Sequence, residues 1–164
     1  TLHLLFNTIV TPFISPVVEL SAPKAKARLM GNLVWDGGRR QNGQKLIAAR
    51  SGASLNNASG GHNRLGGMFT GLEDTALDPA TNVIRRFDSS PFAAPSQHDY
   101  RLLPAAARQL STPLTSAQIQ LPATPGAAES NGDPPLAWQY HHPADKQRRK
   151  PTASLTLGAC GPAD

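Results

Sequence analysis

The stretch Phe6-Asn7-Thr8-Ile9-Val10 is repeated in altered form 25 positions later as Gly31-Asn32-Leu33-Val34, and this repeat decides the fold class. Each Asn is followed by apolar β-formers and preceded by a short run typical of a strand. A fainter third copy, Gly60-Gly61-His62-Asn63-Arg64-Leu65, places its Asn 31 positions after the second. A period of roughly 20–50 residues is the signature of a solenoid, in which one small unit stacks on the next.

The length of the repeat narrows the type of solenoid. A period near 25 is too short for a two-helix repeat, which needs more than about 30 residues, but it suits a coil of a parallel β-helix. Candidate strands at 1–10, 17–20, 27–30, 33–35 and 45–49 are short and are separated by corners rather than hairpins. We therefore predict an all-β fold in which each strand pairs with the strand one repeat later.

The repeated asparagines have a physical role in such a stack. Asn tolerates the left-handed backbone region that a tight corner requires. Its amide can also donate to and accept from the Asn one coil away, which satisfies groups that would otherwise be buried unpaired. We interpret Asn7, Asn32 and Asn63 as a structural Asn ladder rather than as ligand contacts.

Composition and charge limit the classes of function. Of 164 residues only 16% are charged, and the formal net charge is +5, which suits either an anionic polymer as partner or simple solubility. The single cysteine, Cys160, excludes an intrachain disulfide. No apolar run reaches the roughly 18 residues of a membrane span.

The chain divides into two parts by composition. Residues 1–103 carry the strand candidates and terminal loops, including a last short strand at Asn82-Val83-Ile84. Residues 104–164 are rich in Pro and Ala and have almost no periodicity, so we expect an irregular tail that either caps the solenoid or is disordered.

Three stretches carry a resemblance to a known family: the Asn-containing repeats, His98-Asp99-Tyr100-Arg101-Leu102, and Trp138-Gln139-Tyr140-His141-His142-Pro143 with the later Leu157-Gly158-Ala159. The chain resembles the C-terminal end of a bacterial right-handed parallel β-helix protein of the pectate-lyase-like group. The resemblance implies a right-handed solenoid that is secreted, periplasmic or at the cell surface. It also implies polysaccharide, including acidic polysaccharide, as the partner, and further coils of the same protein upstream of this part.

Whether the whole protein is an enzyme stays open. The resemblance allows a polysaccharide lyase or a glycoside hydrolase, but we assign no catalytic residue in this part of the chain. Glu73, Asp74 and Asp78 form the one acidic cluster and a weak candidate for calcium, without the spacing of a dedicated calcium loop. Asp36 follows a strand, but its carboxylate partner would have to come from another coil. We therefore expect no cofactor.

Trp35, with Arg28, Arg39 and Arg40 near it in sequence, is the best candidate for substrate binding. An exposed indole can stack on a sugar ring, and a guanidinium can bind a carboxylate through two hydrogen bonds. The alternative interpretation is that Trp35 packs at a coil corner.

Two other functions stay open. The same solenoid without an acidic constellation would be a structural or adhesive protein. The basic run Lys146-Gln147-Arg148-Arg149-Lys150 would suit a nucleic-acid-associated protein, although an aromatic content of 5% provides no stacking platform.

Overall fold

The computed structural model describes residues 1–11, 16–37, 44–67, 69–70, 72, 74–85 and 89–110, together with two strands at 138–141 and 145–148. Among these residues strands dominate, with one short α-helix and two single turns of 3-10 helix at Leu55–Asn57 and Pro95–Gln97. The first twelve strands are β1 (Leu2–Leu5), β2 (Thr8–Val10), β3 (Val18–Leu20), β4 (Ala27–Met30), β5 (Leu33–Trp35), β6 (Gln44–Lys45), β7 (Ile47–Ala49), β8 (Ala58–Gly61), β9 (Arg64–Gly66), β10 (Phe69–Thr70), β11 (Ala76–Leu77) and β12 (Val83–Arg85). The later elements are β13 (Phe92–Ala94), β14 (Asp99–Leu102), α1 (Pro104–Leu110), β15 (Trp138–His141) and β16 (Asp145–Arg148).

The first twelve strands form four open parallel sheets. Sheet A has the order β1-β4-β8-β11, and sheet B has the order β2-β5-β9-β12. Sheet C pairs β3 with β7, and a fourth sheet pairs β6 with β10. Strands that follow one another in sequence therefore belong to different sheets.

The register of the sheets follows the sequence repeat. In sheet A, Leu4 is aligned with Leu29, which is aligned with Gly60. In sheet B, Ile9 is aligned with Val34, which is aligned with Leu65. The prediction that each strand pairs with the strand one repeat later is thus confirmed for these sheets. In contrast, the later pairs, β13 with β14 and β15 with β16, are antiparallel and join sequence neighbours.

An inner core lies between sheets A, B and C. It is built from the alternate side chains of each strand that point away from solvent, such as Leu29, Val34 and Ile47, each about 1% exposed. A side chain buried to this extent stabilises the fold by about 1.5–3 kcal/mol relative to an exposed position. The stacked apolar columns therefore hold the repeats together without disulfides.

The corner between sheets A and B uses left-handed backbone. Phe6, Gly31 and His62 occupy equivalent positions with φ of 55°, 66° and 58°. The Phe6 ring lies over Gly31, and a Cβ on residue 31 would be 2.7 Å from Phe6 Cε1. Phe6 and His62 show that this corner accepts a side chain at positive φ, so glycine is required at position 31 because the Phe6 ring leaves no room for a Cβ.

A second core lies on the outer face of sheet B. Here Leu33 and Trp35 contact a segment of residues 89–110, which we call the strap and which contains β13, β14 and α1. The Trp35 and Phe92 rings meet edge to face with centroids 5.4 Å apart. The strap therefore covers an apolar surface of sheet B that would otherwise be exposed to solvent.

The structure differs from the sequence prediction at the start of the Pro/Ala-rich tail. The composition predicts irregular structure from residue 104, but Pro104–Leu110 is an α-helix that buries Ala107 and Leu110. Pro is compatible with the first turn of a helix, and the alanines that follow have the highest helix propensity. Apart from β15 and β16, the rest of the tail lies outside the described residues.

Candidate functional site

Four asparagines form a hydrogen-bonded column at the corner between sheets A and B. Asn7 donates to Asn32 Oδ1 from its backbone N (2.9 Å) and from Nδ2 (3.2 Å). Asn32 donates to Asn63 Oδ1 in the same way, at 3.0 and 2.8 Å. Asn63 in turn donates to Asn82 Oδ1 at 3.1 and 2.7 Å. The three asparagines singled out in the sequence thus lie together, one above the next.

The amides of the column are used inside the protein. Asn32 and Asn63 are each only 1% exposed. The second hydrogen bonds of their Nδ2 groups go to the backbone oxygens of Leu4 (2.8 Å) and Leu29 (3.0 Å). Amides so bonded and buried have no capacity left for a ligand, so the column is a structural element.

Sequence reasoning missed Asn82 as the fourth member of the column. Its signal was present, since Asn82-Val83-Ile84 has the same Asn–apolar–apolar order as the earlier repeats. Asn82 follows Asn63 by only 19 positions, against 25 and 31 for the earlier steps. Because this step is shorter than the other two, the spacing of the repeat did not indicate Asn82.

Trp35 does not have the exposed indole that sugar stacking requires. Trp35 is 7% exposed and meets the strap residue Phe92 edge to face within the second core, against which Tyr100 also packs. The substrate-binding interpretation of Trp35 therefore disagrees with its burial, while the alternative of a packed Trp agrees with it. Arg39 and Arg40 lie outside the described residues.

Arg28 lies on the outer face of sheet A. Its neighbours along β4, Ala27 and Leu29, are buried in the inner core, so Arg28 points to the opposite side. It is aligned with His3 on β1 and with Ser59 on β8, and both of these are exposed. We call His3, Arg28 and Ser59 the polar row. Arg28 is partly exposed and has no ion pair or hydrogen bond to another described residue.

The two large sheets thus have different outer faces. The outward positions of sheet B include Leu33 and Trp35, and the strap covers them. On sheet A the polar row is partly or fully exposed, whereas the next aligned outward row, Leu5, Met30 and Gly61, is apolar and mostly buried. Of the candidate binding residues that the structure describes, Arg28 is therefore the one placed to meet a soluble ligand.

The acidic loop does not gather metal ligands in the described structure. Glu73 lies outside the described residues, and Asp74 is exposed. Asp78 accepts from Thr81 Oγ1 (2.8 Å) and from the backbone N of Ala80 (2.9 Å), two bonds that hold the pKa of its carboxyl below its usual value. Among the described residues no group of three His, Cys, Asp or Glu side chains is placed to hold a metal ion. Asp36 is buried, with its carboxylate next to Gly67.

His62 lies beside this turn, at the left-handed corner. Its backbone N donates to Thr81 Oγ1 at 3.1 Å. Burial lowers the pKa of its imidazole, the Arg64 guanidinium lowers it further, and the Asp78 carboxylate acts in the opposite direction. The neutral imidazole is therefore the form that the fold favours.

The basic run lies partly within a described strand. Residues 146–148 of the basic run lie on β16, and the described structure includes no side chain there. Within the described part of the chain, no helix has the length and apolar character needed to cross a bilayer. No protein-family model, no curated protein and no solved structure matches the chain.

Proposed function

We propose that sheets A, B and C are successive faces of a right-handed parallel β-helix. Three features support this architecture: consecutive strands alternate between sheets, every pairing among them is parallel, and a column of amides marks the same corner in each repeat. The right hand follows from the general rule for crossovers between parallel strands, which holds in about 98% of cases. A crystal structure with the opposite hand would refute it.

On this scaffold we assign the function of binding acidic polysaccharide outside the cytoplasm, without catalysis by the described residues. The observation that carries the assignment is the polar row of His3, Arg28 and Ser59 on the outer face of sheet A. The row crosses three strands, which lie about 4.8 Å apart, so an extended polymer can meet one group after another. A guanidinium is the side chain best suited to bind a carboxylate through two hydrogen bonds.

The local contacts of three described carboxylates fit a binding function better than catalysis. Glu19 pairs with Arg50 at 2.8 Å, and Asp99 pairs with Arg101 at 2.8 Å. Asp78 is bonded within its own turn. Acid–base hydrolysis needs two carboxyl groups that face each other across a substrate bond, and these three belong to separate local contacts. Any chemistry in the full protein would be carried by other residues.

The test is the affinity of the chain for oligogalacturonate, measured by isothermal titration calorimetry at low salt. We expect Arg28→Ala to weaken binding about tenfold, because a charge-assisted hydrogen-bonded contact is lost. Arg50→Ala is the matched control, since it removes the same charge from the residue after β7, outside sheet A, and should leave the affinity within about twofold. Equal effects of the two variants would show that only net charge matters and would refute a site at Arg28.

A second candidate function, a structural or adhesive solenoid, is favoured by the Asn column. The buried amides of Asn32 and Asn63 are bonded to the neighbouring repeats, as a scaffold requires. The two functions separate on a broad glycan panel: a folded chain that binds none of the acidic or neutral glycans would leave the scaffold function.

A further inference from the structure

The segment Lys24-Ala25-Lys26-Ala27-Arg28 leads into β4 with a cation at every second position. Ala27 is part of the inner core, and Ala25 packs against it. Because successive side chains of an extended chain point to opposite sides, Lys26 lies on the outer face of sheet A together with Arg28. The two positions are about 6.6 Å apart along the strand. We call Lys24, Lys26 and Arg28 the basic line.

The turn that carries Lys24 is held in place by backbone contacts. Ala25 N donates to Ala22 O at 2.9 Å within the turn, and Asn57 Nδ2 donates to Pro23 O at 3.3 Å from the following repeat. Lys24 itself is exposed. The basic line therefore extends beyond the start of β4 on an anchored backbone.

The basic line carries positive charge that no described residue neutralises. None of its three side chains has an ion pair or a hydrogen bond to another described residue. Asp74 is exposed before β11, but β8 separates that strand from β4. The other Lys and Arg side chains that the structure describes belong to residues with a partner: Arg50 and Arg101 in ion pairs, Arg64 and Arg108 through backbone oxygens, and Lys45.

We propose that the outer face of sheet A binds a sulfated polysaccharide, with Lys24 and Lys26 holding sulfate groups beside the Arg28 contact. This inference rests on the glycan binding proposed above and narrows its ligand from acidic polysaccharide in general to sulfate esters. A carboxylate is bound best by the planar fork of Arg, whereas Lys is a point charge with three donors that suits a tetrahedral oxyanion.

The charge density of the basic line also favours sulfate. Two of its three cations are Lys, and all three lie within about 13 Å along the chain. A polyuronate carries a single carboxylate on each sugar, whereas a sulfated chain carries more charge over the same length. The more highly charged polymer therefore fits the closely spaced cations better.

Nucleic acid is the other polyanion that a run of Lys and Arg indicates, and it fits this face less well. Single strands bind by stacking their bases on aromatic side chains, and none of the four strands of sheet A contains Phe, Tyr or Trp. Duplex DNA is read by a helix or a two-stranded ribbon that enters its groove, whereas a four-stranded sheet presents a broad face. A highly charged glycan needs neither feature.

The experiment compares a heparin oligosaccharide with the same oligosaccharide after its sulfate groups are removed and the freed amines are acetylated, which keeps the carboxylates. Both affinities are measured by isothermal titration calorimetry at one ionic strength. We expect the sulfated form to bind at least about tenfold more tightly, because charge-assisted contacts are lost with the sulfates. The double variant Lys24→Gln/Lys26→Gln should reduce this preference to within about twofold. Lys45→Gln is the matched control, since it removes a Lys charge from β6 and should keep the preference.

The outcomes separate this inference from the proposed function. Equal affinity for the two oligosaccharides, with a loss in Arg28→Ala, would overturn the sulfate preference and leave glycan binding at Arg28 intact. Binding of neither would overturn the inference, while oligogalacturonate still decides the proposed function. The same loss of preference in Lys45→Gln would show that net charge, and not the basic line, selects the ligand. DNA of equal charge that binds as tightly, and is weakened by the double variant, would assign this face to nucleic acid instead.

Discussion

At the scale of single residues, Asn32 is the position on which the stack depends most. Its amide accepts from Asn7 and donates to Leu4 O and Asn63 Oδ1, all in a site that is 1% exposed. Asn32→Ala leaves the Asn7 backbone N–H and the Leu4 carbonyl without these partners. Because buried polar groups without partners are costly, we expect a loss of about 3 kcal/mol in the free energy of unfolding, measured by urea denaturation.

The control for Asn32→Ala is Asn56→Ala. Asn56 is exposed, and its hydrogen bond to Ser54 Oγ is donated by the backbone N, so removal of its side chain should change stability by less than about 0.5 kcal/mol. Similar losses of unfolding free energy in the two variants would mean that the buried amide of Asn32 stabilises the fold no more than an exposed amide does.

The lowered pKa of His62 predicts how the stability of the fold depends on pH. Since the native pKa of His62 is lowered by burial and then by Arg64, the unfolded chain binds more protons than the native chain as the pH falls through 6.5. Stability is therefore greatest above this pH and falls on acidification toward the lowered native pKa. Asp78 acts in a separate window, because its lowered pKa makes its contribution disappear only at pH values below 3.8.

The measurement is the free energy of unfolding of the native chain and of His62→Asn between pH 5 and pH 8. Asn is the matched replacement because it tolerates the left-handed backbone of this corner. We expect the difference in unfolding free energy between the two proteins to shrink or reverse toward pH 5. At that pH, the lowered native pKa of His62 destabilises the native chain most. A difference in unfolding free energy that stays constant from pH 5 to pH 8 would contradict a lowered native pKa for His62.

Residue types were predictable from the sequence where the constraint is local. The corner asparagines could be singled out because an amide that can stack is a property of the residue itself. The left-handed backbone expected at them lies instead one residue earlier, at Phe6, Gly31 and His62. Trp35 could not be placed, because its exposure is decided by Phe92, far along the chain. Local sequence cannot distinguish an exposed aromatic from one that a later segment covers.

At the scale of elements, the strap is held by its apolar inner side. Phe92 is 2% exposed and meets Trp35 at 5.4 Å and Tyr100 at 5.5 Å between ring centroids. We expect Phe92→Ala to destabilise the native state by about 3 kcal/mol, in the range usual for a buried Phe. It should also shift the fluorescence emission of Trp35 to the red, measured in a Trp138→Phe background that isolates this indole.

Ala93→Ser is the control for the strap, since Ala93 is the exposed neighbour on β13. It should leave both stability and emission unchanged. If Phe92→Ala lowers stability without any change in Trp35 emission, the strap does not cover the indole in solution.

The strap contains a helix that the sequence pattern did not predict. The parallel strands were predictable because their spacing recurs, whereas α1 was not, because a Pro-rich composition outweighed the short Ala run after Pro104. A seven-residue helix is not stable alone and forms here through contacts of Ala107 and Leu110 with the outer core. Such an element depends on tertiary packing more than on its own sequence.

At the scale of the whole molecule, the stacked repeats predict a β-rich protein with one cooperative transition. Each repeat buries its apolar face only against its neighbours, so stability is shared along the stack. We expect a β-type far-UV circular dichroism spectrum that is lost in a single thermal step. A predominantly helical spectrum would contradict the fold, because the described chain contains one α-helix of seven residues.

The strap has one more consequence, for synthesis on the ribosome. Leu33 and Trp35 are made long before Phe92, Leu102 and Leu110, which cover them. Translation proceeds at about 5–20 residues per second, so this apolar surface of the nascent chain stays uncovered for several seconds. During that interval the growing polypeptide offers a binding site to chaperones, and the site disappears only when the last of these residues has left the exit tunnel.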